Sequence, residues 1–232
     1  MQQDSPPPLL VFDLDGTLAD TAADLVGTLN VVLAREGLAG MPLGEARALV
    51  GGGARALIER GLAAHRVAAS ESRLDEMLAG FMAHYEAHIA EKTLLFPGVM
   101  EALDRFEAAG FGFALCTNKV EHASIHLLRA LGIAARFRAI CGKDTFAVNK
   151  PDGGALLSTI AKAGGDPRLA VMIGDSKTDI ETARNAGVPV VAVSFGYTKE
   201  PIESYMPDQV IAHYDELWGA VDALGVFALN SP

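Results

Sequence analysis

The feature that most constrains the fold of this chain is a series of short apolar runs without polar alternation. The strongest occupy residues 9–12, 111–116, 169–173 and 188–193, and weaker ones occupy 137–141 and 209–212. Continuous hydrophobicity is typical of parallel strands whose two faces are both covered by helices. From residue 97 onward, helix-length segments alternate with these runs and end at Gly110, Gly132 and Gly187. We therefore predict an α/β fold with a doubly wound parallel sheet, which is a Rossmann-like core.

Residues 21–92 follow a different pattern. They contain no run rich in β-branched and aromatic residues, and they read as three or four Ala/Leu-rich amphipathic helices. The breaks between these helices fall near residues 37–42, 51–53 and 68–72. A helical block inserted after the first strand of an α/β sheet indicates a separate cap. We predict an α/β core formed by residues 1–20 and 93–232, and a helical cap domain formed by residues 21–92.

Charge and cysteine content exclude several classes of protein. The chain has 19 Lys and Arg against 29 Asp and Glu, a net charge of −10, which repels nucleic acids and acidic membranes. We therefore expect neither as a partner, and an anionic substrate would need local cations. Cys116 and Cys141 lie in apolar runs, which favours two reduced, buried thiols over a disulfide. Without a signal-peptide pattern or a membrane-length apolar stretch, we expect a soluble, cytoplasmic protein, and the oligomeric state stays open.

Polar loops follow four of the predicted strands, and they occupy residues 13–17, 117–119, 150–152 and 174–179. The carboxyl ends of parallel strands meet at one edge of the sheet, where such folds bind ligands. The loops contribute four carboxylates, Asp13, Asp15, Asp175 and Asp179. Because these negative charges converge, we expect a cation among them, and oxygen ligands with few Cys or His nearby favour Mg²⁺. Thr117 and Lys150 would supply a hydroxyl and an ammonium to phosphate oxygens.

These loops resemble the motifs of the phosphatase branch of the haloacid dehalogenase superfamily, over residues 9 to about 198. The resemblance implies that Asp13 attacks phosphorus and becomes an aspartyl-phosphate, while Asp15 protonates the leaving oxygen and then activates water. It implies that Lys150 neutralises Asp13 and the phosphate. The predicted contacts to the phosphoryl group or substrate are Thr17, Thr117 and Asn118. The implied Mg²⁺ ligands are Asp13, the backbone carbonyl of Asp15 and Asp175, with Asp179 beside them.

The second carboxylate of the first loop argues for ester hydrolysis, because dehalogenases lack it and cation-pump ATPases carry Thr there. Residues 50–57, 95–98, 117–119 and 194–197 further resemble the phosphoglycolate phosphatases of bacteria. The expected substrate is therefore a small phosphorylated metabolite, 2-phosphoglycolate. Residues 51–53 could present free N–H groups to its carboxylate, and Arg55 could pair with that group.

Other interpretations of the sequence stay open. Arg55 could instead be a solvated helix residue, with the neighbouring glycines serving only as a hinge. The enzyme could be a sugar-phosphate phosphatase or a phosphoglucomutase-like phosphotransferase. A non-enzymatic phosphoacceptor receiver module also combines an acidic cluster with Thr and Lys on an α/β sheet, but it needs about half this length and no cap.

Overall fold

A six-stranded parallel sheet forms the centre of the protein in a computed structural model that describes residues 6–227. The strands, in chain order, are β1 (Leu9–Phe12), β2 (Ala19–Asp20), β3 (Leu94–Leu95), β4 (Gly112–Cys116), β5 (Phe137–Cys141), β6 (Ala170–Gly174), β7 (Val190–Val193) and β8 (Gln209–Ile211). The order across the main sheet is β5-β4-β1-β6-β7-β8, and every pairing in it is parallel. Because β1 lies between β4 and β6, the loops after these three strands are neighbours.

Nine α-helices are present within the described residues. They are α1 (Ala22–Arg35), α2 (Leu43–Ala46), α3 (Ala54–Ala64), α4 (Glu71–Ala87), α5 (Val99–Ala108), α6 (Glu121–Ala130), α7 (Gly153–Lys162), α8 (Lys177–Ala186) and α9 (Leu217–Ala223). One face of the sheet packs against α5, α6 and α9, and the other packs against α7 and α8. Leu9 and Leu10, which are adjacent on β1, enter these two opposite clusters and are both fully buried. The predicted doubly wound α/β fold is confirmed.

The helices α1 to α4 pack on one another and share a third hydrophobic cluster. Leu29 of α1, Leu57 of α3 and Phe81 of α4 are among its buried members. Tyr197, which lies in the loop after β7, joins the same cluster from the sheet side. Residues 21–92 therefore bury an apolar interior of their own while remaining in contact with the sheet. None of the helices within residues 6–227 combines the length and the apolar character needed to cross a bilayer.

A short antiparallel ribbon of β2 and β3 joins the two chain segments that enter and leave the helical insertion. The sequence did not predict this ribbon, because each of its strands is only two residues long. The predicted strand and helix boundaries lie within one or two residues of the observed ones. The segment between Pro42 and Val50 is divided between α2 and a 3₁₀ turn, Arg47–Leu49.

Candidate active site

Three buried carboxylates converge where β1 and β6 end. Asp13 follows β1, Asp175 follows β6, and Asp179 lies in the first turn of α8. Each offers an oxygen within 4.8 Å of the oxygens of the other two. The backbone N–H of Asp13 donates to the carbonyl of Ile173 at 2.9 Å, which anchors the start of the first loop to β6. The strand order thus places together side chains more than 160 positions apart.

Lys150 neutralises part of this charge. Its Nζ lies 3.0 Å from Oδ1 of Asp13 and donates to Oδ1 of Asp179 at 2.5 Å. The Lys150 side chain is only 3% exposed. Burial opposes its positive charge, but Asp13 and Asp179 outweigh burial and raise the pKa of Lys150. The ammonium therefore stays charged beside Asp13.

Asp175 is fixed by bonds to both of its oxygens. Thr17 donates to Oδ1 at 3.2 Å, and the backbone N–H of Tyr197 donates to Oδ2 at 2.8 Å. A methyl group on Gly16, whose φ is +86°, would lie 2.4 Å from Oδ2 of Asp175, so only glycine allows this approach. Thr17 is fully buried beneath the carboxylates. Its hydroxyl thus orients Asp175, and the structure does not bring it to the cavity surface as a phosphate contact.

Asp179 also belongs to the N-terminus of α8. Its Oδ2 accepts from the backbone N–H of Ser176 at 3.0 Å, and its own N–H donates to the Ser176 hydroxyl at 3.4 Å, which completes a capping box. The Ser176 hydroxyl in turn donates to Oδ2 at 2.6 Å. The other oxygen of Asp179 contacts Lys150. Asp179 is completely buried, and both of its oxygens have partners within the protein. It therefore helps to fix Lys150 and the start of α8 beside the other two carboxylates.

Asp15 lies two residues after Asp13 and faces a cation that the sequence interpretation left without a role. Nζ of Lys119 donates to its two oxygens at 3.1 and 3.3 Å. Asp15 is half-buried, with 18% of its side chain exposed, whereas the Lys119 side chain is 7% exposed. The sequence predicts that the loop 117–119 belongs to the site, but it does not show where the Lys119 side chain points.

Thr117 and Asn118 follow β4. The Thr117 hydroxyl accepts the backbone N–H of Lys119 at 3.2 Å, and its backbone N–H donates to Cys141 of β5 at 3.0 Å. The Asn118 amide donates to the carbonyl of Lys150 at 3.1 Å and so links two of the polar loops. Both residues line the cavity beside Asp13. The structure brings them together with the carboxylates, as the sequence predicts.

A cavity of about 750 Å³ lies between the carboxyl edge of the sheet and the helical insertion. Its floor includes Asp13, Asp15 and Asp175. Apolar side chains of the insertion and the glycine loop 51–53 form the opposite wall. Its basic lining residues are Arg60, Lys119, Lys143, Lys150, Lys177 and Lys199. This lining supplies the local cations that a chain with a net charge of −10 needs for an anionic ligand.

Arg55 is the predicted site residue that the structure does not bring to the others. Its guanidinium contacts Glu71 at 2.9 Å and Asp75 at 3.0 Å, and it is not among the described residues that line the cavity. These two carboxylates of α4 hold the Arg55 side chain against α4. Lys143, which the sequence did not indicate as a site residue, lies beside the glycine loop instead. Its Nζ is 3.7 Å from the position that a methyl group on Gly53 would occupy.

The carboxylate cluster fits a hard divalent cation. Burial, with the charges of Asp179 and Asp15, outweighs Lys150 and raises the pKa of Asp13 to about 6. Burial and the same cluster raise the pKa of Asp175. Oδ1 of Asp13 is buried and, within residues 6–227, accepts no hydrogen bond, because its contact with Lys150 lacks hydrogen-bond geometry. A cation bound there would satisfy this oxygen and relieve the repulsion.

Comparison with known proteins identifies the fold family. Residues 10–193 match the sequence model of the haloacid dehalogenase-like hydrolases. The chain belongs to the haloacid dehalogenase-like hydrolase family. The phosphoglycolate phosphatase of Mesorhizobium japonicum is 49% identical over 210 residues, which are 90% of this chain and 92% of that protein. The phosphoglycolate phosphatase of Caulobacter vibrioides is 47% identical over 87% of this chain and 85% of its own length.

Solved structures agree with the sequence relatives of this haloacid dehalogenase-like hydrolase. A predicted phosphoglycolate phosphatase from Haemophilus somnus has a TM-score of 0.85 at 26% identity, covering 93% of this chain and 98% of its own. CbbY from Rhodobacter sphaeroides, solved with phosphate, shares the fold with a TM-score of 0.77 at 23% identity, covering 93% and 99% of the two chains. The resemblance predicted from the polar loops is confirmed. The protein is an enzyme of the phosphatase branch, a hydrolase of phosphoric monoesters.

Proposed function

We propose that this enzyme hydrolyses 2-phosphoglycolate to glycolate and phosphate through an aspartyl-phosphate on Asp13. The observation that carries the proposal is the buried Asp13 carboxylate, 3.0 Å from Lys150, on the floor of a cation-lined cavity. Relatives with 45–49% identity that carry the name phosphoglycolate phosphatase support the choice of substrate. We also propose that residues 21–92 act as a cap over a core formed by residues 1–20 and 93–232.

Asp13 is the nucleophile of the proposed reaction. Lys150 lies beside its Oδ1 and would neutralise charge on the carboxylate and on the incoming phosphoryl group. Thr117 would donate its hydroxyl to a phosphoryl oxygen, and Asn118 would contribute its backbone N–H while its side chain stays bonded to Lys150. These groups are fixed by the loops after β1 and β4, so little reorganisation is needed when the substrate binds.

Asp15 is the acid and base of the proposed reaction. In the first step it would protonate the glycolate oxygen as the phosphorus–oxygen bond breaks, so that glycolate leaves as an alcohol. In the second step the resulting carboxylate would take a proton from water, which attacks phosphorus and releases Asp13 and inorganic phosphate. One proton is given and one regained, so the enzyme ends each cycle as it began.

Mg²⁺ is the cofactor that we propose for the carboxylate cluster. Asp13, Asp175 and the backbone carbonyl of Asp15 would bind it, with Asp179 beside them. When bound, the ion supplies positive charge next to the transferring phosphoryl group. The chain's own contribution is to fix these ligands: Thr17 and Tyr197 orient Asp175, and Lys150 contacts the other two carboxylates.

The substrate is chosen by the part of the cavity that faces the leaving group. Asp13 contacts only phosphate, which every phosphate ester offers, so discrimination depends on the cap side. There, Lys143 lies beside Gly53 and offers an ammonium to a carboxylate. Glycolate carries a carboxylate, whereas simple sugars do not. This arrangement supports an acidic leaving group.

A panel of phosphate esters tests the proposed function. The purified enzyme would be assayed with Mg²⁺ on 2-phosphoglycolate, hexose phosphates, pyrophosphate and p-nitrophenyl phosphate. We expect the highest kcat/KM for 2-phosphoglycolate, and no turnover by the Asp13→Asn variant. Preference for a hexose phosphate would contradict the proposed substrate, but it would not contradict the assignment as a phosphatase. Conversion of glucose 1-phosphate to glucose 6-phosphate would identify a phosphotransferase, and one phosphorylation without turnover would identify a receiver module.

A further inference from the structure

Lys119 is a buried cation of the cavity that the proposed reaction does not yet use. Its ammonium contacts both oxygens of Asp15, at 3.1 and 3.3 Å. The backbone of Lys119 is fixed on both sides, because its N–H donates to the Thr117 hydroxyl at 3.2 Å and its carbonyl accepts from the N–H of Lys143 at 3.0 Å. The loops after β4 and β5 therefore determine where this ammonium lies.

The cap contributes the other side of the Lys119 environment. The ammonium lies 4.5 Å from the centre of the Tyr85 ring, close enough for a cation–π interaction. Tyr85 belongs to α4, is 2% exposed, and stacks on Phe81 in the cap interior. Lys119 is thus placed between a carboxylate of the core and an aromatic ring of the cap.

The charged form of Lys119 is favoured although the side chain is buried. Burial opposes the positive charge of Lys119, but Asp15 and Tyr85 together outweigh it and raise the pKa of Lys119. A lysine that is 7% exposed and lies between two fixed groups has few alternative rotamers. Because the ammonium contacts both oxygens of Asp15, it also restricts the rotation of that carboxylate.

We propose that Lys119 is a positioning residue for Asp15, and that Tyr85 is the part of the cap that keeps Lys119 in place. The proposal rests on the proposed role of Asp15 as acid and base. That role requires one Asp15 oxygen to face the leaving oxygen and later the attacking water. The Lys119 ammonium fixes the carboxylate in this orientation when the cap lies over the core, so α4 contributes to catalysis without touching the reacting atoms.

The leaving group provides the first test, with the variant Lys119→Met, which keeps the unbranched stem and removes the ammonium. Glycolate is a poor leaving group that needs the acid, whereas p-nitrophenolate leaves without a proton. With 2-phosphoglycolate, we expect kcat to fall about 10- to 100-fold with little change in KM, the range expected when a catalytic group is displaced by about 1 Å. A rise in KM at unchanged kcat would show that Lys119 only attracts the substrate, and would overturn the proposal.

Rapid-mixing kinetics with p-nitrophenyl phosphate provide the second test. In Lys119→Met we expect a burst of about one p-nitrophenolate per active site, followed by slow turnover. The burst is expected because transfer to Asp13 proceeds without the acid, whereas hydrolysis of the aspartyl-phosphate still needs Asp15 as a base. A general structural defect would slow both steps and remove the burst, so loss of the burst at full folding would contradict the proposal.

Matched variants separate position from charge. Lys119→Arg keeps a cation within reach of Asp15 and should recover part of kcat, and Lys162→Met removes a surface lysine and should leave the kinetics unchanged. Tyr85→Phe keeps the ring and should behave like the wild type, whereas Tyr85→Leu removes it and should show a weaker form of the Lys119→Met behaviour. Wild-type kinetics in both Lys119→Met and Tyr85→Leu would overturn the proposal.

Failure of the proposed function would look different from failure of this inference. If the wild type hydrolyses neither ester, or if Asp13→Asn retains turnover, the aspartyl-phosphate mechanism is wrong. If Asp13→Asn is inactive and Lys119→Met lowers the rate of phosphoryl transfer equally for both esters, the mechanism stands and the role of Lys119 is wrong. Thermal melting of every variant identifies those that fail to fold, and the Tyr85 pair tests the contact when Lys119→Met is one of them.

Discussion

The hydroxyl of Tyr197 accepts the backbone N–H of Thr21 at 2.7 Å. It also accepts the N–H of Ala22 at 3.0 Å and donates to Asp20 at 2.9 Å. The backbone of the same tyrosine donates to Asp175. One residue of the loop after β7 therefore connects the carboxylate cluster to the segment where the chain enters the helical insertion.

We predict that Tyr197→Phe destabilises the protein while leaving its ring in place. The substitution leaves the buried N–H groups of Thr21 and Ala22 without their acceptor, which costs about 1–3 kcal/mol. Urea unfolding would measure the free energy of unfolding. Tyr205→Phe is the control, because the Tyr205 hydroxyl forms no hydrogen bond among residues 6–227. Equal stability of the two variants would show that the Tyr197 contacts contribute nothing.

The chain segment that leaves the insertion is fixed by Asp24. Its carboxylate accepts the backbone N–H of Lys92 at 3.0 Å, the N–H of Thr93 at 2.9 Å and the Thr93 hydroxyl at 2.7 Å. Asp24→Asn removes the negative charge from these hydrogen bonds and places an NH₂ group against the Lys92 N–H, which lies 3.1 Å from the second oxygen, Oδ1. We therefore expect a loss of about 1–3 kcal/mol in the free energy of unfolding. Asp222→Asn on the exposed face of α9 is the control. A change as small as that of the control would contradict this account.

Selectivity is predicted to depend on Lys143 and not on Arg55. Lys143→Ala should lower kcat/KM for 2-phosphoglycolate by an amount that corresponds to a ΔΔG‡ of about 1.5–3 kcal/mol, the range for a hydrogen bond to a charged group. It should barely affect an aryl phosphate, whose leaving group has no carboxylate. Arg55→Ala should affect neither substrate, and its exposed ion pairs should contribute below about 1 kcal/mol to stability. Steady-state kinetics of both variants would decide. A selective loss in Arg55→Ala alone would reverse the assignment.

Removal of the divalent cation is predicted to abolish activity reversibly. EDTA should stop turnover and added Mg²⁺ should restore it, because the converging carboxylates need a cation beside the phosphoryl group. Asp175→Asn should raise the Mg²⁺ concentration needed for half-maximal activity, while Asp222→Asn should not. Full activity in excess EDTA would exclude a metal from the reaction.

The sheet and the carboxylate site could be predicted from the sequence for a physical reason. Parallel strands buried on both faces have continuous apolar runs, and their carboxyl ends meet at one edge, so the positions of Asp13 and Asp175 follow from the pattern. The fold and the family were predicted and are confirmed. The site roles and the division into core and cap stay predictions.

The cations of the cavity could not be assigned in the same way. Arg55 follows a glycine loop and looks like an anion-binding residue, but Glu71 and Asp75, which lie 16 and 20 positions further on, engage it in the folded chain. Lys119 contacts Asp15 across 104 positions. Long flexible side chains take their direction from tertiary neighbours, and no local pattern encodes those neighbours.

The central claim of this account is that Asp13 carries the phosphoryl group during turnover. The direct measurement mixes p-nitrophenyl phosphate and Mg²⁺ with the Asp15→Asn variant. Because p-nitrophenolate leaves without the acid, Asp13 can still be phosphorylated, and loss of the base should let the phosphorylated enzyme accumulate. Acid quenching, borohydride reduction and peptide mass spectrometry then locate the modified residue, because reduction converts an aspartyl-phosphate to homoserine. We predict homoserine at position 13, only when substrate is present. Its absence at position 13, or its appearance at another aspartate, would contradict the account.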